Sequence, residues 1–221
     1  MKRSQIEAFI FDLDGTLVDS GLDIALSANF VRQHFRLPEL SVATAQSYVG
    51  DGVVKLLERA LGHGGVDVSE QQLATALAVF QEHYSEHLLD NTKLYPGVED
   101  VLTRLAGIPL HVATNKPRGF TDRMLSRLGL LERFRTIVGG DDTPARKPDP
   151  VHLVTALAGI AVNSQHVVMV GDSPNDVHAA QAFGAVSVGC TFGLVPAATV
   201  AAAEPDYLLE KFEDLPALFD D

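Results

Sequence analysis

The sequence is poor in cysteine and in basic residues, and each shortage excludes a class of protein. Cys190 is the only cysteine in 221 residues. An intramolecular disulfide is therefore impossible, and we expect a reducing, cytoplasmic environment in which this thiol is packed at a strand end. Lysine and arginine number 17 against 29 acidic residues, a formal net charge of −12. No dense basic run is present to displace counterions from a polyanion, which argues against nucleic acid as a partner.

Long apolar runs are also missing. No run approaches the roughly 20 residues needed to span a bilayer, so we expect no membrane partner. The N-terminus begins with two basic residues. Its apolar stretch is too short for a signal peptide, and acids interrupt the place of a cleavage site, so we expect mature protein there. Nothing in the sequence indicates an oligomeric state.

Short apolar runs alternate with helical patterns over most of the chain. Candidate strands lie at 7–11, 108–113, 134–138, 166–171 and 185–189. Candidate helices lie at 98–107, 119–130, 150–160 and 173–184. This alternation predicts an α/β fold with a Rossmann-like, doubly wound parallel sheet. Ligands of such sheets bind at the edge where the strands end.

The segment from about 20 to 91 breaks the alternation. Helical patterns occupy 22–35, 52–61 and 70–89, and no convincing strand separates them. Apolar residues at three- and four-residue spacing should pack these helices on one another. We therefore predict an all-helical cap at 19–91, inserted into a core made of 1–18 and 92–221.

Two acids directly follow the first predicted strand. In the segment FDLDGTLVDS, Asp12 and Asp14 lie two residues apart, so both side chains can point to the same side of an extended chain. Gly15 then allows a tight turn. An acidic surface turn is the alternative explanation, because Asp-Gly is common in turns.

A second acidic site follows another predicted strand, in the segment GDSPND. Asp172 ends the strand, and Asp176 lies about one turn into the next helix, which Ser173 can cap. If the two strands are neighbours, four carboxylates meet in one crevice and repel one another unless a cation lies among them. Oxygen ligands favour Mg²⁺ or Ca²⁺ over zinc, so we predict a metal site here.

Polar residues at two further places suit an anion. Thr114 and Asn115 follow the predicted strand at 108–113, and their hydroxyl, amide and backbone N–H groups can bind phosphate oxygens. Lys147 lies in the loop ARKPDP, which its prolines stiffen. An isolated lysine is usually a surface residue. Beside a carboxylate nucleophile, however, a fixed ammonium would keep that carboxylate ionised and balance phosphoryl charge.

Taken in order, FDLDGTLVDS, VATNK, KPDP and GDSPND resemble the four motifs of the haloacid dehalogenase-like hydrolase superfamily. The resemblance covers nearly the whole chain, and the joint pattern is specific although each segment alone is not. Within the superfamily, the segments YVGDGVVKLLERAL, YPGV and IVGGDD are most similar to phosphoglycolate phosphatases. Arg146 departs from that group, in which lysine is common at this place. The resemblance implies a Rossmann-like core with an inserted helical cap.

The resemblance also implies a role for each motif residue. Asp12 would be the nucleophile that forms an aspartyl phosphate, and Asp14 would protonate the leaving alkoxide and then activate water. Mg²⁺ would be held by Asp12, the backbone carbonyl of Asp14, and Asp172. Thr114, Asn115 and Lys147 would bind the phosphoryl group. Asp176 and Ser173 would lie behind the metal ligands, where Asp176 would orient a metal-bound water or Lys147.

The resemblance thus implies a Mg²⁺-dependent phosphatase acting on a small phosphomonoester, with 2-phosphoglycolate as the expected substrate and glycolate as the product. A haloacid dehalogenase proper lacks the second acid of the first motif, so Asp14 argues against that activity. A sugar-phosphate mutase of the β-phosphoglucomutase type, a nucleotidase and a pyrophosphatase use the same core residues and stay open. A binding module without catalysis would be expected to have lost at least one of Asp12, Asp14, Lys147 and Asp172, and none is missing.

Two pairs of cap residues have alternative explanations. Lys55 and Arg59 lie one turn apart and could face a substrate carboxylate or form salt bridges on the surface. His83 and His87 have i,i+4 spacing, but without a third ligand a solvated helix face explains them better than zinc does.

Overall fold

The structure, a computed structural model, describes residues 2–219, and its central feature is a six-stranded parallel sheet. In chain order the strands are β1 (Ala8–Phe11), β2 (Val18–Asp19), β3 (Lys93–Leu94), β4 (Leu110–Ala113), β5 (Thr136–Val138), β6 (Val167–Gly171), β7 (Val186–Cys190) and β8 (Tyr207–Leu209). The helices are α1 (Gly21–His34), α2 (Val42–Gln46), α3 (Val53–Leu61), α4 (Glu70–Glu86), α5 (Val98–Arg104), α6 (Arg118–Arg127), α7 (Val151–Ala156), α8 (Pro174–Phe183) and α9 (Ala197–Ala202). Short 3-10 helices lie at Arg3–Gln5, Leu131–Arg133, Ser164–His166 and Phe212–Leu218.

The strand order in the sheet is β5-β4-β1-β6-β7-β8, and all five pairings are parallel. The chain builds outward from β1 first on one side and then on the other, so β1 lies at the point where the order reverses. The predicted doubly wound α/β fold is confirmed, and the five candidate strands correspond to β1, β4, β5, β6 and β7. Such a reversal point is where open α/β sheets bind their ligands.

Strand β1 is buried on both faces, which explains its unbroken apolar run. Phe9 and Phe11 pack into the larger core, which also holds the apolar side chains of α5 and α6. Ala8 and Ile10 point to the opposite face, where α7 and α8 cover the sheet. Continuous apolar strands of this kind are expected where helices cover both faces.

Helices α1 to α4 follow β1 without an intervening strand of the large sheet. Helix α1 packs on α2, α3 and α4. The chain enters this segment through β2 and leaves it through β3, and these two short strands pair antiparallel. The proposed cap boundaries, at 19 and 91, fall within β2 and just before β3. Among residues 2–219, no helix has the length and apolar character that a membrane crossing requires.

Candidate active site

The ends of three neighbouring strands bring the predicted polar residues together. Strand β1 lies between β4 and β6, and its register pairs Phe11 with Val112 on one side and Val170 on the other. Asp12 and Asp172 follow β1 and β6 and are buried. One oxygen from each of Asp12, Asp172 and Asp176 lies within 4.8 Å of the others. Three of the four carboxylates predicted to converge therefore do so, and Asp14 lines the pocket with Asp12 and Asp172.

Lys147 joins two of these carboxylates. Its Nζ lies 2.9 Å from Oδ1 of Asp12 and 2.5 Å from Oδ1 of Asp176. Burial alone would lower the pKa of Lys147, but the charges of Asp12 and Asp176 outweigh it and raise that pKa. Burial raises the pKa of Asp12 to about 6, partly opposed by Lys147. The buried ammonium thus keeps Asp12 largely ionised at neutral pH.

Asp176 is held by its own helix as well as by Lys147. The backbone N–H and the hydroxyl of Ser173 donate to Oδ2 of Asp176, at 3.0 and 2.7 Å. Ser173 is the N-cap of α8, and Asp176 is the third residue of that helix. Asp176 was expected to orient either a metal-bound water or Lys147, and the structure has the contact with Lys147. The Asp176 carboxylate also lies near Asp12 and Asp172.

Asp172 lies against backbone on two sides. Its Oδ2 accepts hydrogen bonds from the N–H groups of Leu194 and Val195, at 2.7 and 3.3 Å. A Cβ at Gly15 would come within 2.0 Å of that oxygen, and Gly15 has φ +84°. Only glycine allows both this approach and this backbone conformation. Burial, with Asp12 and Asp176 nearby, raises the pKa of Asp172 well above its ordinary value.

Asp14 has a different set of partners, one of which sequence reasoning missed. Ser20 donates to its Oδ1 at 2.6 Å. The Nζ of Lys116 lies 3.1 Å from each carboxylate oxygen of Asp14. Lys116 also donates to the hydroxyl of Tyr84 in α4, at 2.7 Å. Lys116 follows Asn115 directly in VATNK, so its position just after the strand end could have indicated that it belongs to the site.

Thr114 and Asn115 differ in what they offer a ligand. Thr114 is buried at the pocket wall, and its Oγ1 accepts a hydrogen bond from the backbone N–H of Lys116. Both amide hydrogens of Asn115 are used, because Nδ2 donates to the carbonyls of Gly50 and Lys147. Its Oδ1 accepts from the N–H of Lys147 at 3.0 Å. The Asn115 side chain therefore holds the Lys147 loop in place, and binding of substrate by Asn115 stays a prediction.

A pocket of about 60 Å³ opens at these strand ends, beneath the helices that follow β2. One water molecule needs about 10–15 Å³ of such space, so the pocket has room for only a few water molecules. Its polar lining includes Asp12, Asp14, Thr114, Lys116, Tyr84 and Asp172. Its apolar lining includes Ile24, Val53, Leu56, Phe80 and Phe120. Of the described residues that line it, Lys116 is the single cation.

The remaining candidate residues lie elsewhere. Lys55 pairs with Glu58 at 2.6 Å, and Arg59 pairs with Asp51. Both cations line a surface depression rather than the pocket, which favours the salt-bridge explanation. His83 contacts Ser27, and His87 contacts Asp90. Among residues 2–219, these histidines belong to no group of three potential metal ligands. Cys190 is fully buried, as expected for a packed thiol.

The carboxylate group fits a divalent cation. Its donors are oxygens only, which suits Mg²⁺. Burial and mutual repulsion make the ionised state of Asp172 unfavourable, and a cation would relieve that repulsion. The residues that would hold the ion are Asp12 and Asp172, with Asp176 beside them.

Comparison with known proteins identifies the family. Residues 9–190 match the model of the haloacid dehalogenase-like hydrolase family. Proteins named phosphoglycolate phosphatase are 36% identical in Yersinia pseudotuberculosis, over 97% of this chain and 94% of that one, and 39% identical in Chromobacterium violaceum, over 91% and 92%. The crystal structure of a predicted phosphoglycolate phosphatase from Haemophilus somnus superposes with a TM-score of 0.91 at 31% identity, covering 98% of this chain and 99% of that one. The chain therefore belongs to the haloacid dehalogenase-like hydrolase family.

Proposed function

We propose that the protein is a Mg²⁺-dependent phosphatase that hydrolyses a small phosphomonoester, 2-phosphoglycolate, through an aspartyl phosphate on Asp12. The observation that carries this proposal is the contact between Lys147 and Asp12 beside two further buried carboxylates. A lone buried carboxylate would be protonated or repelled by a phosphate. Here Lys147 keeps it ionised and fixed in place.

The chemistry divides between Asp12 and Asp14. Asp12 attacks phosphorus, the bond from phosphorus to the leaving oxygen breaks, and Asp14 gives that oxygen a proton. Asp14, now a carboxylate, takes a proton from water, which attacks the phosphorus and releases inorganic phosphate and free Asp12. Asp14 is oriented for both steps by Ser20 and Lys116. Mg²⁺, when bound, offsets the negative charge of the carboxylates and the phosphoryl group.

The size of the pocket and the names of the relatives support a small substrate. The cavity of about 60 Å³ has both polar and apolar lining residues, and its volume suits a small ester better than a nucleotide. Two relatives that align over more than nine-tenths of the chain are named phosphoglycolate phosphatase. We also propose a cytoplasmic location, because the single cysteine is a buried free thiol.

A substrate screen tests this proposal. Hydrolysis of about a hundred phosphomonoesters, 2-phosphoglycolate among them, is measured with Mg²⁺ and with EDTA, and the large rate losses typical of a removed catalytic group are expected in EDTA. We expect 2-phosphoglycolate to rank highest in kcat/KM. A low rank would refute the substrate but not the phosphatase. Absence of any turnover in saturating Mg²⁺ would favour a binding module, and transfer of the phosphoryl group from the phosphorylated enzyme to a hexose phosphate would favour a mutase.

A further inference from the structure

One polar group of the pocket, the hydroxyl of Tyr84, has no part in the phosphoryl chemistry described so far. Tyr84 belongs to α4 and is 1% exposed, and its hydroxyl accepts a hydrogen bond from Lys116 at 2.7 Å. No acceptor for the hydroxyl hydrogen of Tyr84 is found among residues 2–219. A buried hydroxyl that donates to nothing is costly, so this one is suited to a ligand that accepts a hydrogen bond.

Lys116 lies where the acidic floor of the pocket meets its apolar wall. Its ammonium contacts both oxygens of Asp14 and lies 4.6 Å from the centre of the Tyr84 ring. It is 7% exposed. The wall beyond it is formed by Phe80, Phe120 and other apolar side chains. A second anion in the pocket would find no cation other than Lys116 among the described lining residues.

We propose that Lys116 and Tyr84 form a subsite for a carboxylate on the leaving group of the substrate. Asp14 touches the leaving oxygen in the proposed reaction, and Lys116 touches Asp14. A carboxylate one carbon away from that oxygen, as in 2-phosphoglycolate, lies within reach of the ammonium and of the Tyr84 hydroxyl. The subsite rests on the proposed phosphatase function and accounts for its preference among small esters.

The cations of the cap surface do not provide this subsite. Lys55 and Arg59 are committed to Glu58 and Asp51, and they line a separate depression. A carboxylate bound by Lys116 and Tyr84 would contact both the loop after β4 and helix α4. Binding of the substrate would thereby link the core to the helices that cover it.

The test compares two esters of the same length. 2-Phosphoglycolate carries a carboxylate where 2-hydroxyethyl phosphate carries a hydroxyl group, so the ratio of their kcat/KM values measures recognition of that carboxylate. Tyr84→Phe removes one hydrogen bond to a charged group, and we expect it to lower the ratio about tenfold. Tyr48→Phe is the matched control, because Tyr48 contacts His63 away from the pocket, and its ratio should stay within about twofold of wild type.

Lys116→Gln provides a second measurement. It should lower the ratio about a hundredfold, since it removes a buried charge pair, and it should also lower kcat for both esters because Asp14 loses a partner. An equal loss for both esters in the Tyr84 and Lys116 variants would show a merely structural role and overturn the subsite. Equal kcat/KM for the two esters with the wild-type enzyme would overturn the subsite together with the proposed substrate.

The subsite can be separated from the catalytic proposal by binding. If the wild-type protein hydrolyses neither of these esters nor any other ester of the screen, the proposed phosphatase function fails. Calorimetric titration of each ester into the protein in Mg²⁺ then measures the same ratio as Kd values. Tighter binding of 2-phosphoglycolate that Tyr84→Phe abolishes supports the subsite, and equal Kd values overturn it.

Discussion

Each carboxylate of the site differs from the others in its immediate partners, and these partners suit the separate roles proposed for them. Asp12 contacts an ammonium that another carboxylate shares, whereas the hydrogen bonds that Asp172 accepts within residues 2–219 come from backbone N–H groups. Asp14 lies at the pocket with a hydroxyl and a second ammonium. A nucleophile must stay ionised, which the ammonium of Lys147 favours for Asp12. A carboxylate without a cationic side chain beside it, such as Asp172, is better suited to bind a metal ion, so these contacts agree with the proposed division of roles.

Asp12→Asn tests the nucleophile directly. The amide keeps the size of the side chain but cannot form an acyl phosphate, so we expect at least a thousandfold loss of kcat, since removal of a covalent catalyst usually costs that much. Circular dichroism should show an unchanged fold. Residual activity above about a thousandth of wild type, once contamination is excluded by a second preparation, would contradict the role of Asp12 as nucleophile.

Asp172→Asn tests whether repulsion among the buried carboxylates destabilises the protein when no metal ion is bound. The pKa of Asp172 is raised above its ordinary value of 3.8, so the folded protein binds more protons than the unfolded protein, and stability without metal falls as the pH rises above about 4. At pH 7.5 in EDTA, the variant should be more stable than wild type, because the amide adds no negative charge to the buried cluster. Urea denaturation measures this difference.

The same variant should lose most of the stabilisation that Mg²⁺ gives the wild-type protein, because one of its ligands is gone. Asp67→Asn, at an exposed loop position, is the control and should behave as wild type in both conditions. An Asp172 variant that is less stable than wild type in EDTA, or that Mg²⁺ stabilises as much as wild type, would contradict the proposal that these carboxylates repel one another and bind a cation.

The sequence was informative about residues whose position follows from strand ends. Asp12, Thr114 and Asp172 come directly after strands that pair with one another, so their convergence was predictable. The contact of Lys116 with Tyr84 was not predictable, because it spans 32 residues and depends on how α4 lies over the sheet. Asn115 was assigned to the substrate from its place at a strand end and its polar groups, and the sequence did not indicate that its side-chain amide donates to the backbone of neighbouring loops.

At the scale of secondary-structure elements, two short strands and one aspartate fix the junction between the sheet and the inserted helices. Strand β2 pairs with β3 over two residues each. Asp23, in the first turn of α1, is buried and accepts hydrogen bonds from the backbone N–H groups of Asn91 and Thr92 and from the Thr92 hydroxyl. One side chain thereby ties the start of the insertion to its end.

Removal of this side chain should be costly. Asp23→Ala leaves the N–H and hydroxyl groups of Thr92 without their partner in a buried place and also removes the acceptor for the N–H of the exposed Asn91, so we expect a loss of about 3 kcal/mol in the free energy of unfolding. Asp23→Asn keeps one acceptor oxygen and should lose less. Asp90→Ala, which removes an exposed partner of His87 near the same junction, should cost under about 1 kcal/mol. Similar urea midpoints for the Asp23 and Asp90 variants would refute the proposed clamp.

The elements that the sequence did not predict are the weakest ones. Strand β8 has three residues at the sheet edge, and two of them are at least partly exposed, so its apolar run YLL is too short to indicate a buried strand. Strands β2 and β3 have two residues each and exist only because their chains meet at the junction. Longer elements were evident: β6 is buried along its whole length, and α4 buries Ala76, Phe80 and Tyr84 at four-residue spacing.

At the scale of the whole molecule, the inserted helices close over the strand ends through a few polar contacts. Nδ2 of Asn175, in α8, donates to Oδ1 of Asp51 at 2.7 Å, and Asn115 donates to the carbonyl of Gly50 at 2.9 Å. Burial would raise the pKa of Asp51, but hydrogen bonds from Asn175 and Arg59 outweigh it and lower that pKa. These contacts hold the loop before α3 against the pocket.

We expect the cover to open for exchange of ligand, because side chains of helices α3 and α4 line the pocket. Asn175→Ala removes the hydrogen bond to Asp51 without touching the carboxylates, so it should favour the open arrangement. We expect KM to rise about tenfold, the cost of one hydrogen bond to a charged group, with a smaller change in kcat. Small-angle scattering in Mg²⁺ should give a larger radius of gyration than for wild type.

Gln181→Ala is the matched control, because this amide in the same helix donates to the carbonyls of Ala203 and Glu204. If the two variants have the same KM and the same scattering profile, the contact between Asn175 and Asp51 does not control closure, and the cover over the site must be held by its apolar packing alone.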